Sequence, residues 1–261
     1  MPKVMGILNV TPNSFYDGGK YQQENEVLKR VGNMLSEGAD FIDVGAYSSK
    51  PNAAFVSEEE ELNRLIPVLK SVLKTFPQTV ISIDTFRSEV ARIAVENGAA
   101  LINDISAGSL DEKMMKTVAK LQVPYIMMHM KGTPQTMMQL TEYDDIVKEI
   151  LFYFSEKIAQ ARSSGINDII IDPGFGFAKT TEQNYEIMQK LQLFEILELP
   201  ILAGVSRKSM IYRPLESTPE NALNGTTALN MIALTKGTSI LRVHDVKEAV
   251  ECIKLFSLMR L

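Results

Sequence analysis

Eight short apolar or β-branched runs recur along the chain, at Val4–Leu8, Asp40–Val44, Thr79–Ile83, Ala100–Asp104, Pro124–Met128, Asp168–Asp172, Leu199–Gly204 and Thr238–Arg242. Their starts lie 36, 39, 21, 24, 44, 31 and 39 residues apart, so each gap has room for a helix and two loops. The runs are continuous rather than alternating, as expected for strands covered on both faces. The gaps carry helical stripes. Val27, Leu28, Val31, Met34 and Leu35 form one that stops at Gly38. Ser57 and Glu60 make a capping box ahead of Leu62, Leu65, Ile66, Leu69 and Leu73, and Pro67 is expected to kink that helix. Ile146, Val147, Ile150, Leu151, Phe154 and Ile158 stripe the longest gap, and Val246, Ala249, Val250 and Ile253 the last.

Eight strand-then-helix units in 261 residues match the arithmetic of a closed (β/α)8 TIM barrel, which takes about 250. The rival, a doubly wound open sheet, wants a nucleotide-binding glycine fingerprint after its first strand. Gly6 and Gly18-Gly19 do not make one. No composition break or linker divides the chain, so the expected fold class is α/β, one barrel over 1–261. The first run begins at Val4. Nothing obvious then closes the bottom of the barrel, and residues missing upstream are one reading of that.

Composition removes whole classes of function. With 45% hydrophobic and 23% charged residues the chain is an ordinary globular one, not a disordered or fibrous one. A net charge of −5 with no basic face argues against nucleic acid or an anionic membrane as partner. One cysteine, Cys252, fits a reducing, cytoplasmic setting and reads as packing on the last helix. No apolar run approaches the ~18 residues of a membrane span.

A (β/α)8 barrel builds its site at the C-terminal ends of its strands. Those ends carry Asn9, Thr11, Asn13, Ser14 and Asp17; Asp43 with Ser48, Ser49 and Lys50; Asp84; Asn103 and Asp104; and His129. They continue with Asp172 and Pro-Gly-Phe-Gly-Phe, Ser206-Arg207-Lys208-Ser209, and Arg242, His244 and Asp245. Two groupings emerge. Asp84, Asn103 and Asp172, with Lys208 nearby, offer alternating acceptors and donors, and Phe175, Phe177 and Met128 offer apolar surface. Together they suit a planar, nitrogen-rich heterocycle. Strand-end Asp and Asn that merely satisfy loop backbone are the plainer alternative.

The second grouping favours an anion. Ser48-Ser49-Lys50, Ser206-Arg207 and Arg242-Val243-His244 bring hydroxyls and cations to loops two, seven and eight, the last two being the usual barrel phosphate site. Surface salt bridging of Arg207 and Arg242 is the plainer alternative for either taken alone. Asn9 supplies a hard oxygen, sufficient for Mg²⁺ held mostly by phosphates and water. Two histidines without partner cysteines make a poor tight zinc site. Met127, Met128, Met130, Met137 and Met138 read as an apolar wall, and Glu58–Glu61 as a helix start favoured by the macrodipole.

Several segments resemble the dihydropteroate synthase family, in that family's order and over nearly the whole chain. They are Met5–Gly19, Ile83-Asp-Thr85, Ile102-Asn-Asp104, Met128-His-Met-Lys-Gly-Thr-Pro134, Ile171-Asp-Pro-Gly-Phe-Gly-Phe177, Gly204-Val-Ser-Arg-Lys-Ser-Met210, Asn224-Gly-Thr-Thr-Ala228 and Arg242-Val-His-Asp245. The resemblance implies condensation of 6-hydroxymethyl-7,8-dihydropterin diphosphate with p-aminobenzoate, giving 7,8-dihydropteroate and pyrophosphate. It places the pterin on Asp84, Asn103, Met128, Asp172, Phe177, Gly204 and Lys208, and the diphosphate on Asn9, Ser49, Arg242 and His244. Asn9 would bind Mg²⁺. Thr11, Phe15, Asp17, Ser49, Lys50, Pro51 and Ser209 would belong to mobile loops and the p-aminobenzoate side, with Asp17, Lys208, Arg242 and His244 in catalytic roles. The resemblance also implies a homodimer through the late helices.

Three features depart from the family. Its second-loop motif Glu-Ser-Thr-Arg-Pro-Gly reads Tyr47-Ser-Ser-Lys-Pro-Asn52, where Lys50 keeps the charge and loses the planar fork of Arg. Asn13 stands where Asp is common, and the family's segment ahead of the first strand is largely absent. Pterin-dependent methyltransferases share the Asp/Asn cradle but need no diphosphate loops. A non-catalytic pterin-binding relative is disfavoured by Asn9, Asp17 and Lys208. A metal-dependent aldolase is the more distant rival.

Overall fold

The computed structural model describes residues 1–10, 20–47 and 56–259. Eight parallel strands alternate with helices in the order β1 (Lys3–Asn9), α1 (Lys20–Glu37), β2 (Phe41–Gly45), α2 (Glu58–Thr75), β3 (Ile81–Asp84), α3 (Ser88–Glu96), β4 (Leu101–Asp104), α4 (Met114–Leu121) and β5 (Tyr125–Met128). After a short 3-10 turn at Met137–Gln139 come α5 (Ile146–Ser163), β6 (Ile169–Asp172), α6 (Thr181–Gln189) and a second 3-10 segment at Leu191–Leu197. The chain continues as β7 (Leu202–Ala203), α7 (Ser209–Tyr212), α8 (Leu223–Thr235), β8 (Ile240–Val243) and α9 (Val246–Leu258). The ladder runs β6-β5-β4-β3-β2-β1-β8-β7, and a parallel bridge between Ile171 and Ile201 joins its two ends. The fold is the expected (β/α)8 TIM barrel.

Side chains alternate faces along a strand, so each barrel strand sends every second residue inward. The lower interior is a dry plug of Met5, Leu101, Ile126, Leu202 and Ile240, flanked by Phe41, Ala100 and Ile170. Two residues nearer the C-terminal end the inward positions become Ile7, Asp43, Asn103, Met128, Asp172, Gly204 and Arg242. The strands that carry Asp43, Asn103, Asp172 and Arg242 thus change from apolar filler to polar function in one inward step, while Ile7 and Met128 stay apolar and Gly204 leaves space. Outward residues face the helices. A Cβ on Gly6 would stand 2.7 Å from Met34 Sδ and 3.1 Å from Val246 Cγ2, so a glycine lets α1 and α9 close over β1.

Two local expectations need correction. Strand seven was expected over Leu199–Gly204; its ladder is only Leu202–Ala203 plus the bridge at Ile201, and Pro200 has no N–H to donate. Ser57 does cap α2, accepting from Glu60 N at 3.1 Å, but the Glu60 carboxylate turns to Arg64 at 2.8 Å instead of completing the box. Pro67 sits inside a helix that runs unbroken from Glu58 to Thr75. No helix among the described residues is long and apolar enough to cross a membrane.

The acidic run at the start of α2 divides by burial. Glu58, Glu59 and Glu60 face solvent, while Glu61 is buried and accepts from Thr85 Oγ1 at 2.7 Å and from Arg87. Arg87 Nη2 in turn donates to Val56 O at 2.6 Å. Burial raises the Glu61 carboxyl above its ordinary pKa, against the lowering pull of Thr85 and Arg87. Glu61→Ala should remove the buried carboxylate that pairs with Arg87 and cost about 3–5 kcal/mol, read as a lower denaturation midpoint. A loss under about 1 kcal/mol would show that the pair does not hold α2 to β3.

Candidate active site

Register brings the expected residues level with one another at the barrel mouth. Asn9 pairs with Gly45, Gly45 with Asp84, and Asp84 with Asn103, while Met128 pairs with Asp172 on the opposite side. Neighbouring parallel strands in register send these side chains to the same side.

Arg242 is the hub. Its Nε donates to Asp43 Oδ2 at 2.6 Å and its Nη2 to Asp84 Oδ2 at 2.6 Å, and Asn103 Nδ2 reaches the same Asp43 oxygen at 3.0 Å. Burial works against the guanidinium charge, but Asp43 and Asp84 together hold its pKa above the ordinary value. Burial lifts the Asp84 carboxyl to about 7, with Arg242 opposing and Asp43 reinforcing. Asp43 Oδ1 is buried and has no hydrogen-bond partner among the described residues.

Asp172 and Lys208 form the other half. Asp172 Oδ1 accepts from Gly174 N at 2.7 Å, and burial raises its carboxyl above the ordinary range while Lys208 pulls it down. Lys208 Nζ donates to Phe175 O and lies 5.0 Å from the centroid of the Phe177 ring. Burial lowers its pKa to about 8, with Asp172 opposing. A Cβ on Gly204 would meet Lys208 Nζ at 3.8 Å, Arg242 Cβ at 3.9 Å and Asp172 Oδ2 at 3.9 Å. The absent side chain leaves the space between these three groups open. Above it, Met128, Met130, Met137, Ile105 and Ala178 cluster with Phe86, Leu110 and Phe177, so three of the five expected methionines build an apolar wall, while Met127 packs in the main core and Met138 is exposed.

His244 stands beside the mouth, its Nδ1 3.0 Å from Ser206 Oγ. Burial and then Arg242 bring its pKa down to about 4, so the ring is neutral at pH 7. Ser209 opens α7 directly after Lys208. Thr11, Asn13, Phe15, Asp17, Ser48, Ser49, Lys50 and Pro51 lie outside the described residues. Among the described residues no group of three or more His, Cys, Asp or Glu is placed to hold a metal.

Two residues do not serve as the sequence grouped them. Arg207 was counted with the anion-binding cations. It makes a two-pronged pair with Asp245 at 2.9 and 2.8 Å and donates to the carbonyls of Pro219 and Glu220, so it braces the loop. His129 directly follows β5 but is buried, with its Nδ1 3.0 Å from Lys179 Nζ.

Two others were missed. Asp43 was noted on its strand and left out of the site, although an acid in the middle of a buried strand, in step with Gly45, is itself a signal. Lys179 lies almost fully buried and donates to the carbonyls of Gly174 at 2.9 Å and Phe177 at 2.8 Å, fixing the turn after β6. Its position directly after a glycine-rich turn was the available clue.

A closed barrel with buried acids, an amide and two cations converging at its C-terminal mouth defines a barrel enzyme for a small polar substrate. Comparison with known proteins narrows the class. Residues 5–244 match the family described as "Pterin binding enzyme". The dihydropteroate synthase of Escherichia coli strain K12 is 43% identical over 256 residues, covering 97% of this chain and 90% of that protein. The Yersinia pestis dihydropteroate synthase, solved in complex with a sulfonamide drug, is similar at 40% identity with a TM-score of 0.93, over 99% of this chain and 94% of that one. The Xanthomonas albilineans enzyme in complex with 7,8-dihydropteroate follows at 36% identity and a TM-score of 0.89, over 99% and 94% of the two chains. The chain belongs to the pterin-binding enzymes and, among them, to the dihydropteroate synthases, which are transferases.

Gly174 tests how tightly the turn after β6 is specified. It has φ +74°, and a Cβ there would be driven into the His129 carbonyl oxygen. Gly174→Ala should lower stability by more than the about 1–3 kcal/mol of backbone strain alone and weaken pteroate binding. Unchanged melting and binding would show that the turn has freedom to shift.

Proposed function

We infer that the chain, as one catalytic unit over 1–261, condenses 6-hydroxymethyl-7,8-dihydropterin diphosphate with p-aminobenzoate to give 7,8-dihydropteroate and pyrophosphate. The observation that carries this reading is the continuous buried network from Asn103 through Asp43, Arg242 and Asp84, which faces Asp172 and Lys208 across the opening at Gly204. Carboxylates accept from the flat N–H/NH₂ edge of a pterin, the Asn103 amide adds both kinds of group, and Lys208 donates to a ring oxygen or nitrogen. Phe177 and Met128 supply the apolar face. The Xanthomonas albilineans enzyme, solved with the product of this reaction, supports the same ligand class.

The residues present fit a magnesium ion. Asn9 is an exposed amide at the rim, beside the bare Cα of Gly45, and can act as a single protein oxygen for a metal otherwise held by phosphates and water. Mg²⁺ bound there would neutralise charge on the departing diphosphate.

The reaction follows an SN1-like course. The C–O bond to the diphosphate breaks and its electron pair leaves with the phosphate oxygen. The cation left on the methylene is delocalised into the dihydropterin, and ionised Asp84 and Asp172 stabilise it electrostatically. Arg242, with an Nη1 that neither Asp43 nor Asp84 engages, and neutral His244 hold the diphosphate. The arylamine lone pair then forms the C–N bond and its proton passes to solvent. That amine is weakly basic and largely unprotonated at neutral pH, so no strong general base is required. Ser209 together with Thr11, Phe15, Ser49, Lys50 and Pro51 forms the p-aminobenzoate side, and Asp17 adds a negative charge toward the cation.

The same reading makes the protein a cytoplasmic homodimer without nucleic-acid or membrane partners. Its contact would lie on the late helices, where Ile232, Leu255, Leu258 and Met259 are exposed.

Incubation with the dihydropterin diphosphate, p-aminobenzoate and Mg²⁺ should yield dihydropteroate and pyrophosphate in equal amounts. Methyl transfer from a methylated folate, or pterin binding without turnover, would overturn the reading in favour of the two rivals. Asp84 offers charge to the cation only when ionised, so kcat/KM should rise as pH passes upward through about 7, the value to which burial lifts it. Asp84→Asn should remove that limb and lower kcat/KM by about 10- to 100-fold, the worth of one charge-assisted hydrogen bond. A profile flat across neutral pH in the wild-type protein would contradict the role.

A further inference from the structure

Ser206, in the loop after β7, is almost fully buried against the end of β8. Its Oγ accepts the backbone N–H of His244 at 3.1 Å and lies 3.0 Å from Nδ1 of the same residue. A hydroxyl carries a single hydrogen, which needs an acceptor when buried. Among the described residues Nδ1 is the acceptor within its reach. Donation from Oγ to Nδ1 therefore satisfies both groups. The opposite arrangement, with Nδ1–H donating to Oγ, leaves the hydroxyl hydrogen without a partner. The lost bond should disfavour that arrangement by roughly ten- to a hundredfold in population.

We propose that Ser206 is a positioning residue that locks His244 as its Nε2–H tautomer, so that the far edge of the imidazole presents a proton donor instead of a lone pair. The proposal rests on the reading of His244 as a diphosphate ligand. Phosphate oxygens are acceptors, and a bare ring nitrogen facing them would repel where an N–H attracts. Tautomer matters here because the ring has no charge to offer. Burial, followed by Arg242, depresses its pKa, and Arg207 and Arg30 add to this while Asp245 opposes them. The backbone around the ring is held on every side. Ser206 takes the N–H of His244, Arg30 Nη2 from α1 donates to its carbonyl, and Arg207 grips the next residue, Asp245. The ring direction and its proton position are then both set before any anion arrives.

The test uses the full chain labelled with ¹⁵N-histidine, in which two histidines give signals and the His244→Gln variant assigns them. At pH 7, without substrate, His244 should show an unprotonated Nδ1 and a protonated Nε2. Ser206→Ala should shift the ring to a mixture of tautomers and weaken binding of inorganic pyrophosphate with Mg²⁺ by about tenfold. Ser206→Thr, which keeps the hydroxyl, should restore both readouts. A wild-type ring protonated at Nδ1 overturns the proposal, and so does an Ala variant whose nitrogen shifts do not change. A tautomer change with pyrophosphate affinity unaltered overturns the role assigned to it. Wild-type protein that shows the Nε2–H form yet neither binds pyrophosphate nor turns over would sink the diphosphate reading and leave the tautomer assignment standing.

Discussion

The site depends on one guanidinium held between two carboxylates inside a barrel. Arg242 donates to Asp43 through one nitrogen and to Asp84 through another, and Asp43 also takes the Asn103 amide. Four strands are coupled by that arrangement: β8 supplies the cation, β2 and β3 the acids, and β4 the amide. An isolated acid at this depth would shed its charge, and an isolated arginine would be too costly to bury. The dry plug of Met5, Leu101, Ile126, Leu202 and Ile240 directly below makes the interaction strong and its disruption expensive.

Desolvation then sets the chemistry of the whole mouth. The same low polarity lifts the Asp84 and Asp172 carboxyls, lowers Lys208 and leaves His244 neutral. In the proposed reaction, acids whose charge is incompletely satisfied would favour a ring that becomes positive as its leaving group departs. With its pKa at about 8, Lys208 stays largely protonated at pH 7 and, in the proposed reaction, would donate to that ring as an ammonium. The stabilising groups are in place before substrate binds, which is the condition under which electrostatics lowers a barrier most. Lys179, clamping the carbonyls of Gly174 and Phe177, keeps the turn after β6 in the shape that Asp172 and Lys208 both need.

Much of this was legible because a barrel converts sequence position into spatial position. Eight barrel strands must bring their C-terminal ends to one mouth, which gathers Asp84, Asn103, Asp172 and Arg242 there, whereas Gly204 entered only through the family resemblance. What periodicity does not encode is which polar groups neutralise one another. Arg207 and Arg242 look alike in sequence, yet Arg207 is spent on Asp245 and Arg242 on the barrel acids. Glu61 looked like one more helix-start acid, and only packing against Thr85 and Arg87 distinguishes it from its neighbours. Strand seven was too long in the sequence reading because an apolar run does not reveal where the ladder bonds cease. His129 read as a rim residue, since its burial depends on Lys179, fifty positions away.

The central claim is that the buried network around Arg242 grips a flat nitrogen heterocycle. A crystal structure of the protein with 6-hydroxymethylpterin bound tests it most directly. The ring should lie over the Gly204 opening, its amino-pyrimidinone edge within hydrogen-bond distance of Asp84, Asn103, Asp172 and Lys208. A ligand seated elsewhere, with these four residues keeping only their protein partners Arg242, Asp43, Gly174 and Phe175, would contradict it.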